Sequence, residues 1–304
     1  MNIEASKKTI CIKRIVSQQI KKFELNEDVI IPDIKPDILK SIKENGNVCI
    51  YKKEVLDGKI KLDGSVNIYI IYLADSDKDN IRGINTNIDF KEIFDCKEAK
   101  SSMCLEEKVN IKSIECKVLN GRKVTLKIEM EAVLVLYINE DISVVNNIEN
   151  IMDLQKINKN IRINSVIGSN TIKTYAKETI KIDTTDILGE ILKLDLNIIN
   201  KDMKVSYNKV LAKADAEVKI MYLTENNLIK SVEEKIPIMG FIEMPNISEN
   251  DICEVLYTVK NIITKPNSEE EHSIYVELEM ELTCNAFKEE ELDILKIYTV
   301  QQEI

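Results

Sequence analysis

From Gly58 to Leu73 apolar or small residues fall at Ile60, Leu62, Gly64, Val66, Ile68 and Ile70, and Lys59, Lys61, Asp63, Ser65, Asn67 and Tyr69 alternate with them. A period of two puts the two sets on opposite sides of an extended chain, so a half-buried strand is predicted. The same phase returns from Asn208 to Leu223 at Val210, Ala212, Ala214, Ala216, Val218 and Ile220, each 150 positions after its counterpart. A second pair of twins follows: Val124, Leu126, Ile128, Met130, Ala132, Leu134 and Leu136, then Ile274, Val276, Leu278, Met280, Leu282, Cys284 and Ala286 at the same shift. The chain reads as a tandem repeat.

Between these arms the β-branched stretches Thr9–Val16, Ile20–Ile31, Val48–Leu56, Ile81–Phe94 and Leu105–Leu119 predict further strands. Pro32 and Pro36 interrupt the ladder and predict a loop, with one helical turn after it. Asp57-Gly58 between apolar alternations predicts a type I′ hairpin turn, with Asn120-Gly121 repeating the chemistry. The second copy changes its turns, to Tyr207-Asn208 and to the longer acidic segment Pro266 to Glu271. The polar stretch around Asn146 marks the boundary, with room for a short helix from Ile148 to Leu154. The expected architecture is all-β: two tandem β-sandwich or barrel-like domains, residues 1–145 and 146–304, with few short helices and a core in each copy.

Composition narrows the function classes. The 304 residues suit two domains of roughly 150. With 44% hydrophobic and 31% charged residues the chain is globular in composition, and its net charge of −10 argues against a nucleic-acid backbone as partner. Seven cysteines form no CxxC pair, which favours buried thiols in a reducing compartment. No signal-peptide core or transmembrane-length apolar run is present, so a cytosolic protein without membrane insertion is expected.

Candidate chemistry is sparse. His272, the only histidine, lies in a polar segment away from any Ser, Cys or Asp cluster, and no phosphate-binding glycine loop occurs. Asp75, Asp77 and Asp79 alternate like the start of a calcium loop, but Asn80 and Thr86 occupy the positions where glycine and the bidentate acid belong, so a solvated turn is favoured. Glu277, Glu279 and Glu281 share the outward face of one strand, preceded by Glu269, Glu270 and Glu271. This acidic strip reads as a solvated face that discourages edge pairing, with an acidic docking surface as the functional alternative. No catalytic residue, cofactor or metal ligand is assigned.

The segments Ile31 to Ile42 (IPDIKPDILKSI), Val55 to Leu73 and Val118 to Tyr137 resemble the SPOCS domain of clostridial spore-envelope proteins of the SipL type, and Asp186 to Leu192, Lys213 to Leu223 and Ile274 to Phe287 resemble it again. The resemblance implies a non-enzymatic morphogenetic protein of the spore coat. It would be made in the mother-cell cytoplasm, act at the forespore surface and bind the coat basement ATPase and other coat proteins. Cell-envelope or cortex glycan is the alternative ligand. Relatives of this type continue into a LysM module. Ile297 to Gln301 reads like its opening strand, and the remainder is absent from this chain.

Overall fold

A computed structural model describes residues 4–75, 80–149, 154–185, 187–267, 270 and 272–300. Six antiparallel strands make the first half: β1 (Glu4–Ile30), β2 (Ile38–Leu56), β3 (Lys59–Ala74), β4 (Ile81–Asp95), β5 (Cys104–Asn120) and β6 (Lys123–Glu149). Six more repeat the plan: β7 (Leu154–Lys181), β8 (Leu188–Ser206), β9 (Lys209–Thr224), β10 (Ile229–Glu243), β11 (Ile252–Pro266) and β12 (Ser273–Val300). Each half stacks two three-stranded sheets, β1-β6-β5 on β2-β3-β4 and β11-β12-β7 on β10-β9-β8. The all-β expectation holds, and among the described residues no helix occurs.

The period-two rows build the cores. Val124 to Leu136 on β6 and Ile60 to Ile70 on β3 meet inside the first half, where Phe23 packs on Phe90 and Phe94 with ring centroids 5.6 and 5.8 Å apart. Val210 to Ile220 and Ile274 to Ala286 do the same in the second. Each large side chain so buried contributes about 1.5–3 kcal/mol before entropy.

Several local expectations are corrected. Thr9–Val16 and Ile20–Ile31 are not two strands: a bulge between Ile15 and Ser17 lets β1 run unbroken for 27 residues against β6. In place of a helical turn after Pro36, β2 starts at Ile38 and reaches Leu56 through bulges. Ile148 and Glu149 are strand rather than helix, and Leu154 opens β7; residues 150–153 lie outside the described residues. The Asp57-Gly58 turn is not type I′, because only Gly58 has positive φ (79°). Its conformation is held from outside: Gly58 N donates to Ala99 O, and Cys96 N donates to Gly58 O. The twin turn is held identically, with left-handed Asn208 bonded to Ile247 and Met244.

The outer strands are long. Beyond the last β5 pair, Cys104 with Tyr137, β6 continues with β1 alone as far as Glu149, and beyond Ile252 with Phe287, β12 continues with β7 alone. The two ribbons lie against each other, tied by a Lys8–Glu290 ion pair of 2.6 Å.

The halves close differently. In the first, β2 packs closely on β5, leaving the β1/β4 edge loose. In the second, β7 closes on β10, with Thr174 Oγ1 donating to Met239 O and Asn170 Nδ2 to Glu243 O, and β8 and β11 stand apart. That opening faces the first half.

Candidate functional site

The opened β8/β11 edge rests on the outer face of β2 and β3. Cys49 (0% exposed) and Tyr69 (4%) project from that face into the apolar cluster of the second half. Ile71 joins Leu192 and Leu223 in a smaller cluster beside it. Each copy carries its own core, as expected, and side chains of the first add to the core of the second. Around this seam polar groups pair. Asn45 Nδ2 donates to Asp195 Oδ1 at 2.9 Å, Asn47 Nδ2 to Leu194 O at 2.8 Å, and Gly83 N to Glu190 Oε2 at 2.8 Å. Lys35 reaches Glu190 at 3.1 Å, and Arg82 donates to Asn227.

Charge is buried at the same junction. Glu107 of β5, its side chain 3% exposed, accepts from Lys53 of β2 at 2.8 Å. Burial pushes its carboxyl up, and Lys53 opposes the shift. Lys260 of β11, also buried, pairs with Glu281 at 3.3 Å. Lys13 donates to Glu106, which also accepts from Asn285 Nδ2 of the second half. Each pair lies within one half and has one partner buried and the other partly solvated, so removing Lys53 or Glu281 leaves Glu107 or Lys260 buried without its counter-charge.

Glu277, Glu279 and Glu281 do lie on one face of β12, as the alternation requires. That face is a ladder of opposite charges. Glu277 pairs with Lys177 at 3.1 Å and accepts from the Tyr275 hydroxyl at 2.6 Å. Glu279 pairs with Lys173 at 3.1 Å, and Glu281 with Lys260. The Tyr275 hydrogen bond and Lys177 hold the Glu277 carboxyl below its ordinary value. The first half carries a counterpart: Lys112 pairs with Glu131 at 2.7 Å, Ser113 donates to Glu129, and Lys127 reaches Glu24. Such cross-strand pairs fix register and keep the sheet face solvated. Glu270 precedes the strand, and Glu269 and Glu271 lie outside the described residues.

Two recesses flank Tyr51 on the seam. One, of about 210 Å³, is lined by Asn67, Tyr69, Asn85, Asn87, Ile262 and Thr264. The other, of about 320 Å³, is lined by Tyr51, Lys173, Lys260, Asn261 and Glu279. They offer neutral amides, hydroxyls and paired charges, a set suited to holding another polar surface. Asp75 is exposed at a bend, and Asp77 and Asp79 of the alternating triplet lie outside the described residues. His272 sits in the turn before β12, its carbonyl accepting from Ile182 N. Among the described residues no group of three His, Cys, Asp or Glu side chains is placed to share a metal ion, and no helix is long and apolar enough to cross a membrane.

Sequence reasoning missed the seam residues Cys49, Tyr69, Lys53 and Glu107. One signal was present. The outward positions of the twin strands differ: Ser65, Tyr69 and Ile71 in the first copy stand where Asp215, Lys219 and Met221 stand in the second. Ser65 is 1% exposed and Tyr69 4%, whereas Lys219 is exposed.

A family model of the SipL SPOCS domain matches residues 37–119 and again residues 188–267, together more than half of the chain. The matches span β2 to β5 and β8 to β11, so β6 and β12, each of which supplies a fully buried row to its core, lie outside them. No curated protein and no solved structure gives a match.

Proposed function

Because the chain belongs to the SipL SPOCS domain family, we propose that it is a non-enzymatic morphogenetic scaffold of the endospore coat, binding the coat basement ATPase at the forespore surface from the mother-cell cytoplasm. The family carries the spore-coat role. The observation supporting a scaffold is the seam, where side chains of the first copy enter the apolar cluster of the second and ion pairs join the two, so that they present their faces in one fixed arrangement. In this reading residues 1–145 and 146–304 are two domains working as one block, and the ladder of Glu277, Glu279 and Glu281 is the docking face. A rim of alternating charges contributes register and encounter rate more than affinity.

Co-purification tests it. The chain retains the ATPase and other coat proteins, and a variant reversing the ladder (Glu277→Lys, Glu279→Lys) with retained fold binds the ATPase several-fold more weakly. Equal retention of the ATPase by both proteins removes the docking face, and no retention by either removes the scaffold reading. A cell-envelope glycan is the second reading, favoured by the amide-lined recess of Asn67, Asn85 and Asn87. Sedimentation with purified cortex separates the two.

A further inference from the structure

The first half does not cover the whole β8/β11 opening. An open cleft of about 380 Å³ remains, lined by Lys201, Asp202 and Met203 of β8 and by Cys253, Glu254, Val255 and Tyr257 of β11. Lys201 lies over the Tyr257 ring, 5.4 Å from its centroid, and the Tyr257 hydroxyl donates to Lys213 O at 2.8 Å, so this wall is fixed. Cys253 is 6% exposed at the cleft, and behind it, on the neighbouring strand, lies Cys284 at 0%. The β11–β12 register pairs Cys253 with Ala286 and Val255 with Cys284, which sets the two cysteines on a diagonal of one sheet face. Diagonal neighbours on adjacent strands lie about 7–8 Å apart, with their Cβ atoms closer. The interaction between the two thiols favours the thiolate at Cys253, and with burial it keeps Cys284 protonated.

We propose that Cys253 and Cys284 are a redox-active pair, with Cys253 as the attacking thiol at the cleft and Cys284 as the resolving thiol, closing to a cross-strand disulfide when a peroxide enters between β8 and β11. The chemistry balances in two steps. The Cys253 sulfur attacks one oxygen of hydrogen peroxide, the O–O bond breaks, and hydroxide leaves and takes up the thiol proton as water, giving a sulfenic acid. The Cys284 sulfur then attacks the Cys253 sulfur, the S–O bond breaks, and a second water leaves with the Cys284 proton. Two thiols lose two electrons and the peroxide is reduced to two waters. The product ties β11 to β12 across the residues from 253 to 284 and restricts the unfolded chain, so the oxidised protein unfolds at higher temperature. The other cysteines lack this arrangement. Cys104 is exposed, Cys49 is buried on β2, and Cys96 is buried in the loop after β4.

The reduced 304-residue chain, treated under native conditions with limiting hydrogen peroxide and then blocked with a thiol reagent, tests the assignment by mass spectrometry. The expected result is an intact mass lower by two hydrogens and one cross-linked peptide joining Cys253 to Cys284, reversed by dithiothreitol. Cys284→Ala is expected to stop at the sulfenic acid, captured on Cys253 by dimedone. Cys253→Ala is expected to leave Cys284 unmodified. Oxidation confined to Cys104, or sulfinic acid on Cys253 with Cys284 still free in the unmutated chain, overturns the pair. The unmutated chain answers this by itself if either variant fails to fold.

Discussion

Tyr69→Ala is the sharpest test of the seam. Tyr69 is 4% exposed, stands on the outer face of β3 and packs into the apolar cluster of the other half, with Thr264 and Asn85 beside its hydroxyl. Truncating a buried aromatic side chain costs about 3–5 kcal/mol through lost burial and the cavity left behind. Part of this ring faces polar recess atoms instead of packed carbon, which puts the expectation near the lower end, about 3 kcal/mol. With a urea dependence of about 3 kcal/mol per molar for a chain of this size, the midpoint falls by roughly 1 M. The repeat supplies the control. Lys219 holds the twin position on β9 and is exposed, so Lys219→Ala is expected to cost under about 0.5 kcal/mol. Tyr69→Phe, which keeps the ring, is expected to lose about 1 kcal/mol. Equilibrium urea unfolding followed by circular dichroism measures all three, and limited proteolysis shows whether β8 and β11 become accessible. If Tyr69→Ala costs no more than Lys219→Ala, the first half does not add to the second core.

Three further outcomes follow from particular residues. Burial raises the Glu107 carboxyl above its ordinary value of 4.5, so in the window just above that value the folded chain holds a proton that the unfolded chain has released, and stability falls as pH rises through it. Glu107→Gln is expected to flatten that segment of the urea-midpoint profile, and an unchanged slope would place the proton elsewhere. Gly58 has φ of 79°, and a methyl group at its α-carbon would meet nothing within 4 Å, so Gly58→Ala is expected to cost about 1–2 kcal/mol from backbone strain alone. Gly58→Asn should cost less, as left-handed Asn208 fills the same role in the twin turn; equal melting-temperature losses would contradict the account. A fragment of residues 37–119, the family-matched segment, lacks β1 and β6 and with them the inner row from Val124 to Leu136. It is expected to show no cooperative melting, whereas residues 4–149 melt cooperatively.

The duplication, the all-β class and the inward rows of β3, β6, β9 and β12 are legible in the chain because alternation is a local property: each side chain's face follows from its neighbour's. Bulges escape that reading. One extra residue near Ile15 leaves the apolar phase broken but the strand continuous, so the pattern predicts two short strands where β1 is single. Turn type escapes as well, since Gly58 is held by Ala99 and Cys96 from a loop nearly forty residues on. At the candidate site, the shared outward face of Glu277, Glu279 and Glu281 can be read directly. The lysines that neutralise it cannot, because Lys173 and Lys177 come from a strand about a hundred positions earlier.

The twins β3 and β9 show where the division lies. Their inward rows carry the same pattern, and sequence alone determines that both are core-facing strands of a repeated fold. Their outward rows have different fates. Asp215, Glu217 and Lys219 remain at least partly solvated, but Tyr69 and Ile71 pack against side chains of the second half and Ser65 is buried. Alternation assigns a side chain to a face and carries no information on what that face meets. Whether it meets water or another domain depends on how the second sandwich opens at β8 and β11 and which surface seals it, and that is decided only when distant strands pack.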